Sequence, residues 1–139
     1  GLVGSEMCIR DSYKLLTSIK GVGPITAIVM LCSTLNFTKI TDHRKFACYC
    51  GLAPFEHSSG TSVRGGCHTS SMANRDIKVQ LNRSALIAIR CDPQLKAYYE
   101  RKVAEGKHKF SVLNAVRAKI AARCFAVVRR GTPYVALQI

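Results

Sequence analysis

Two groups of residues carry side chains able to do chemistry. The first lies in the run Cys50-Gly51-Leu52-Ala53-Pro54-Phe55-Glu56-His57-Ser58-Ser59-Gly60-Thr61-Ser62-Val63-Arg64-Gly65-Gly66. An apolar stretch ends at Gly51, and Pro54 forbids helix immediately afterwards. A serine hydroxyl becomes a nucleophile once a base takes its proton, and a neighbouring glycine lets backbone approach a ligand closely. Ser58 and Ser59 ahead of Gly60, with the cation of Arg64 close behind, therefore suit an encounter with a phosphate. The same letters also spell an ordinary surface loop. The second group is Cys48, Cys50, His57, Cys67 and His68. These are zinc-ligand types, but Cys-x-Cys followed by Cys-His lacks the paired spacing of structural zinc sites. No metal site is expected in this chain.

The charge narrows the partner. There are 21 Lys and Arg against 8 Asp and Glu, a net of +13. Residues 1–63 hold six basic and four acidic side chains, whereas residues 64–139 hold fifteen and four. So lopsided a basic excess points to nucleic acid. The longest apolar stretch, Ile25 to Cys32, is interrupted by Thr26 and is far too short to span a bilayer. No helix combines a basic face with a face of large apolar residues, so a membrane surface is not the expected partner. Seven cysteines, an odd number, suit a reducing cytoplasm better than a disulfide scaffold. Cys32, Cys48, Cys91 and Cys124 fall inside expected helices, where they are read as small buried side chains.

These features need helices to position them. Residues 1–12 follow no helical or strand period and resemble translated sequencing-adapter bases, so a non-native leader is expected there. From Tyr13, Leu15, Leu16 and Ile19 form a short apolar face. Lys20-Gly21-Val22-Gly23-Pro24 then turns the chain into a second helix running to about Ser33, with Pro24 in the favoured first turn. Helix, Gly-Val-Gly turn and helix over 13–33 have the form of a helix-hairpin-helix. In that motif the amides at the start of the second helix take a backbone phosphate without reading bases. Lys20, Gly21, Val22, Gly23 and Thr26 are its candidate contacts. A tight turn that merely packs is the alternative.

Thr41 or Asp42 caps a third helix that stops at Gly51. The serine loop follows, with Thr61-Ser62-Val63 as a short extended piece. A fourth helix opens at Ser70 or Ser71 and runs to about Arg90. Ile77, Leu81, Leu86 and Ile89 make its apolar face, while Arg75, Lys78, Arg83 and Arg90 decorate the rest. Asp92-Pro93 caps a fifth helix over Gln94 to Glu105, with Leu95, Tyr98, Tyr99 and Val103 as its packed stripe and Gly106 as its stop. The last helix spans Phe110 to Arg130. Val112, Val116, Ile120, Cys124 and Val127 or Val128 face inward, and Arg117, Lys119 and Arg123 leave its outside basic. Part of that basic surface is expected to face phosphates. The fold class is mainly α: a helix-hairpin-helix, a serine/glycine loop and a small bundle of longer helices.

Three segments together carry a family resemblance. They are Leu16 to Ala27 (LTSIKGVGPITA), Gly51-Leu52-Ala53-Pro54 with Ser59 to Gly65 (SGTSVRG), and Asn114 to Ile120 (NAVRAKI). In this order and at these separations they resemble the carboxy-terminal domain of insertion-sequence-110 type transposases, a family shared with the pilin-gene invertases. The resemblance runs over 13–134 and leaves 135–139 as a tail. It implies DNA transposition or site-specific recombination through a serine nucleophile, Ser59, with Ser58 as fallback and Arg64 as phosphate clamp. It also implies an upstream RuvC-like domain that binds a divalent metal such as Mg, DNA as partner, in some members a structured guide RNA, and a homo-oligomer in a prokaryotic cytoplasm. Such a domain's acidic cluster is not in this sequence, whose acids outside the leader (Asp42, Glu56, Asp76, Asp92, Glu100 and Glu105) are scattered. The chain is thus expected to be an inactive fragment carrying half an active site. The alternative is a non-catalytic DNA- or RNA-binding module built on the hairpin. Cys67 to Asn74 departs from the basic stretch expected there, which weakens any carry-over of contacts to 67–74.

Overall fold

The computed structural model describes residues 8–50 and 71–135, and these form six helices with no strand among the described residues. In chain order they are α1 (Ile9–Thr17), α2 (Pro24–Thr34), α3 (His43–Cys50), α4 (Ser71–Cys91), α5 (Pro93–Ala104) and α6 (Lys109–Arg130). The α class expected from the periodicity is what the described residues adopt. The serine loop and the extended piece at 61–63 lie outside the described residues.

The helix ends follow local chemistry. Asp42 Oδ1 accepts from the Arg44 amide at 3.1 Å, so Asp42 rather than Thr41 caps α3. Asp92 separates α4 from α5 and accepts from the amides of Gln94 and Leu95 at 2.9 and 3.3 Å, with Pro93 in the first turn. Gly131 ends α6 at φ +73, a left-handed conformation that suits glycine. After α2 the chain instead takes three successive non-glycine residues at positive φ: Leu35, Asn36 and Phe37. Left-handed backbone costs about 1–2 kcal/mol per such residue. What offsets it is the burial of Phe37, whose ring meets that of Phe125 edge-on at 4.8 Å, and a hydrogen bond from the Phe37 amide to Thr34 Oγ1 at 2.9 Å.

The two long helices organise the core. α6 packs against α1, α3, α4 and α5, and α4 packs against α2, α3, α5 and α6. The inward stripe of α6 is the one its sequence announces: Val112, Val116, Ile120, Cys124 and Val127 are all buried. The stripe of α4 is different from its expected one. Ile77 and Leu81 are buried, but Leu86 is exposed and Ile89 only partly covered; Ser84, Ala85 and Ala88 lie inside instead. Small residues face inward there because the turn between α1 and α2 comes too close for large ones. A Cβ placed on Gly21 would meet the backbone oxygen of Ser84 at 2.7 Å and the Ala88 Cβ at 3.1 Å.

The cysteines also differ from expectation. Cys124 is buried and Cys48 half-buried, but Cys32 and Cys91 are exposed, while Cys50 is fully covered. Helical position alone does not say which face a small side chain takes. None of the described cysteines is in a disulfide. Among the described residues no helix is long and apolar enough to cross a membrane.

Candidate nucleic-acid interface

The turn at 18–23 is held from several sides. Gly21 adopts φ +97, which L side chains rarely take, and the Val22 amide bonds Ile19 O at 3.0 Å. Ser18 Oγ donates to Leu15 O and accepts from the amide of Tyr134 at 2.8 Å, tying the far end of the chain to this turn. Gly23 is the extended N-cap of α2, with no side chain capping the helix, and Pro24 supplies no amide. The opening amides of Ile25 and Thr26 are therefore the donors that α2 presents at its positive end.

The hairpin residues singled out by the sequence divide into two sets. Lys20 is exposed and Gly23 half-exposed, with open space around its Cα. Val22 is buried in the core and Gly21 is pressed onto α4. Thr26 is buried as well, its Oγ1 3.1 Å from Ser84 Oγ. That hydroxyl has a structural partner inside the protein.

On α4, Arg75, Lys78 and Arg83 are all exposed. Arg75 and Lys78, three residues apart, share a face, whereas Arg83 is turned roughly 140° from Lys78 by helical periodicity. Lys78 lies close enough to the buried Cys50 to favour its thiolate, but burial dominates and pushes that thiol up to about 12. Burial likewise pushes Cys124 up to about 12. Neither thiol is a nucleophile near neutral pH. Ser58, Ser59 and Arg64, like His57, Cys67 and His68, lie outside the described residues. No group of three or more His, Cys, Asp or Glu side chains comes together among the described residues, so these offer no ligand set for the metal that the resemblance implies.

The outer face of α6 is not uniform. Arg123 points into a pocket of partners: its Nη1 donates to Asp92 Oδ2 at 2.6 Å, its Nη2 to Gln94 Oε1 at 3.1 Å, and its guanidinium lies 4.8 Å from the centre of the Tyr134 ring. Burial pushes the Asp92 carboxyl up, but the bond and charge of Arg123, with the two capping amides, outweigh that and hold it below its ordinary value. Arg117 is half-buried with its Nε sequestered and without a protein partner, and burial holds its guanidinium below the usual range. Lys119 alone of the three stays open to solvent, its Nζ 4.6 Å from the centre of the Tyr98 ring. The expectation that Arg123 is a free outward cation is therefore corrected. The Asp92 to Arg123 link joins residues 31 apart, and no local pattern announces it.

Comparison with known proteins decides the family. Residues 13–100 match the Transposase IS116/IS110/IS902 family, well over half of the chain. This chain belongs to that family. Over 121 residues it is 39% identical to an uncharacterized 43.6 kDa protein of insertion element IS110 from Streptomyces coelicolor, covering 86% of this chain and 29% of that protein. It is 26% identical over 127 residues to a pilin gene-inverting protein of Moraxella bovis, covering 91% of this chain and 39% of the relative. A 42 kDa protein of insertion element IS900 from Mycobacterium paratuberculosis is 30% identical over 109 residues, with 77% of this chain and 27% of that protein covered. The chain thus spans well under half of each of these relatives.

Proposed function

We propose that this chain is the serine-bearing, DNA-engaging domain of a transposase of the family, acting in transposition or site-specific recombination. The observation that carries the reading is the family match over 13–100, because that span contains the Gly-Leu-Ala-Pro and Ser-Gly segments in which Ser59 sits. Ser59, with Ser58 as the second choice, is the proposed nucleophile on a DNA phosphodiester. Its oxygen forms a bond to phosphorus, its proton passes to a base, and a deoxyribose oxygen leaves with the electrons of the broken P–O bond and takes up a proton to become a hydroxyl. The serine ester keeps the bond energy for rejoining. Arg64 is proposed to steady the charge that builds on the phosphate oxygens.

The hairpin supplies the second part of the reading. It is proposed to act as a helix-hairpin-helix, with Lys20 and the amides from Gly23 onward receiving a backbone phosphate. Gly21, Val22 and Thr26 serve that contact by fixing the turn on α4. Arg75, Lys78 and Arg83 add sequence-independent charge along α4. A divalent metal, a guide RNA and assembly into an oligomer are further expectations for the whole protein.

The test uses this chain joined to the rest of its gene product. Ser59→Ala is expected to abolish strand exchange on a supercoiled donor while leaving duplex binding intact. Persistent exchange in Ser59→Ala together with its loss in Ser58→Ala would move the role to Ser58. Exchange that survives both substitutions would leave a non-catalytic binding module, the reading that the net charge and the hairpin turn support by themselves.

A further inference from the structure

The seam between α5 and α6 carries two kinds of cation. At the end where α5 begins, Arg123 is neutralised by Asp92. Toward the other end of α5, three cations gather about one half-buried ring, that of Tyr98. Lys119 Nζ lies 4.6 Å from its centre, the Arg101 guanidinium 5.7 Å and Lys102 Nζ 6.0 Å. Among the described residues one acid pairs with them, Glu105, at 3.5 Å from Lys102, with both side chains partly exposed. Glu100 lies two residues beyond Tyr98, on a different side of α5.

We propose that Arg101, Lys102 and Lys119, collected on Tyr98, form a contact site for the phosphodiester backbone of duplex DNA. Two physical points support it. An aromatic ring attracts a cation through its quadrupole without cancelling the charge, so Tyr98 concentrates positive potential where an acid would extinguish it. Like charges held around one ring also repel one another, and a phosphate oxygen between them relieves that repulsion. With three cations already at the ring, the site engages the strand through charge. The proposal rests on the reading of the chain as a DNA-engaging domain; the basic outside of the last helix had already pointed to Lys119, and the structure adds Arg101 and Lys102 of α5, which the sequence did not single out. Tyr98 acts in it as a positioning residue.

The experiment measures binding of the full 139-residue chain to a mixed-sequence duplex by fluorescence anisotropy over a range of salt concentrations. The triple substitution Arg101→Gln, Lys102→Gln and Lys119→Gln is expected to flatten the dependence of log K on log salt by about 0.9 for each phosphate that is no longer neutralised. Lys39→Gln, which removes the same kind of charge from the exposed turn after α2, is expected to change it far less. Tyr98→Leu leaves all three charges in place and is expected to weaken binding about two- to fivefold, with Tyr98→Phe restoring it. Thermal melts of each variant separate this from unfolding, and rescue by Phe is not expected of a ring that serves only through its hydroxyl. Unchanged affinity and slope in the triple variant, or an equal loss per charge from Lys39→Gln, would overturn the proposal. So would a loss confined to single-stranded RNA of the same length. An unaltered chain that binds no duplex would overturn it together with the reading it rests on, whereas silent variants overturn it alone.

Discussion

The contact of the α1–α2 turn and α2 with α4 and the contact of α5 with α6 solve one problem, fixing two helices side by side, in opposite ways. The first works by absence. Gly21 has no side chain, Ala85 and Ala88 have little, and the buried polar pair of Thr26 with Ser84 is neutral. The second works by reach. Arg123 spans to Asp92 and Gln94, and Lys119 spans to Tyr98. Close approach makes the first contact intolerant of added volume, because packed interiors have nowhere to put it. Long polar side chains make the second responsive to charge and pH instead. The difference suits the proposed roles: a hairpin that presents amides must be rigid, while a charged seam keeps cations available to a strand.

The largest expected effect breaks the first contact. Gly21→Ala combines a left-handed backbone penalty with a collision against Ser84 backbone, and should cost about 2–5 kcal/mol in denaturant unfolding. Gly23→Ala, at φ −94 with open space around it, should stay within about 1 kcal/mol. Equal losses at the two glycines would show that the turn is not set by its approach to α4.

Next comes the charged seam. Asp92→Ala removes the cap of α5 and leaves Arg123 without its acid, and should cost about 2–3 kcal/mol, discounted because Arg123 keeps some solvent. Asp92→Asn keeps the cap acceptor and should lose less. The carboxyl is held low in the folded chain, so its stabilisation is present above the unfolded value of about 4 and fades as pH falls through the folded one. The stability gap between the unaltered chain and Asp92→Asn should therefore stay constant above about pH 5 and narrow as pH falls below the unfolded value of about 4. A constant gap would mean that the ion pair adds nothing beyond the cap.

A smaller effect sharpens the contrast within the first contact. Thr26→Val leaves the buried Ser84 hydroxyl without its partner and should cost about 1–2 kcal/mol, of which Ser84→Ala in the same chain recovers a part. Additive losses would mean that the two hydroxyls are not coupled. The smallest is chemical: at pH 8, iodoacetamide should label Cys32 and Cys91 well before Cys50 and Cys124, whose burial keeps them protonated and covered. Peptide mapping by mass spectrometry reads the order directly.

Much of this protein was settled by local sequence. The α class, an α3 cap at Thr41 or Asp42, the α5 start at Asp92-Pro93, the stop at Gly131 and the buried stripe of α6 follow from capping chemistry and a helical period. These are interactions within a few residues, so the letters contain them. The charge imbalance and the family resemblance were equally visible in the chain. What only the tertiary structure decided was which groups meet across long separations. Leu86 is the more hydrophobic residue, yet Ala85 and Ala88 face the core, because the space opposite is filled by Gly21, far away in sequence. Arg123 is a structural residue and Lys119 an open cation although they sit one turn apart, because Asp92 lies opposite one and Tyr98 opposite the other. A period fixes the direction in which a side chain leaves its helix; what waits there depends on how the helices pack.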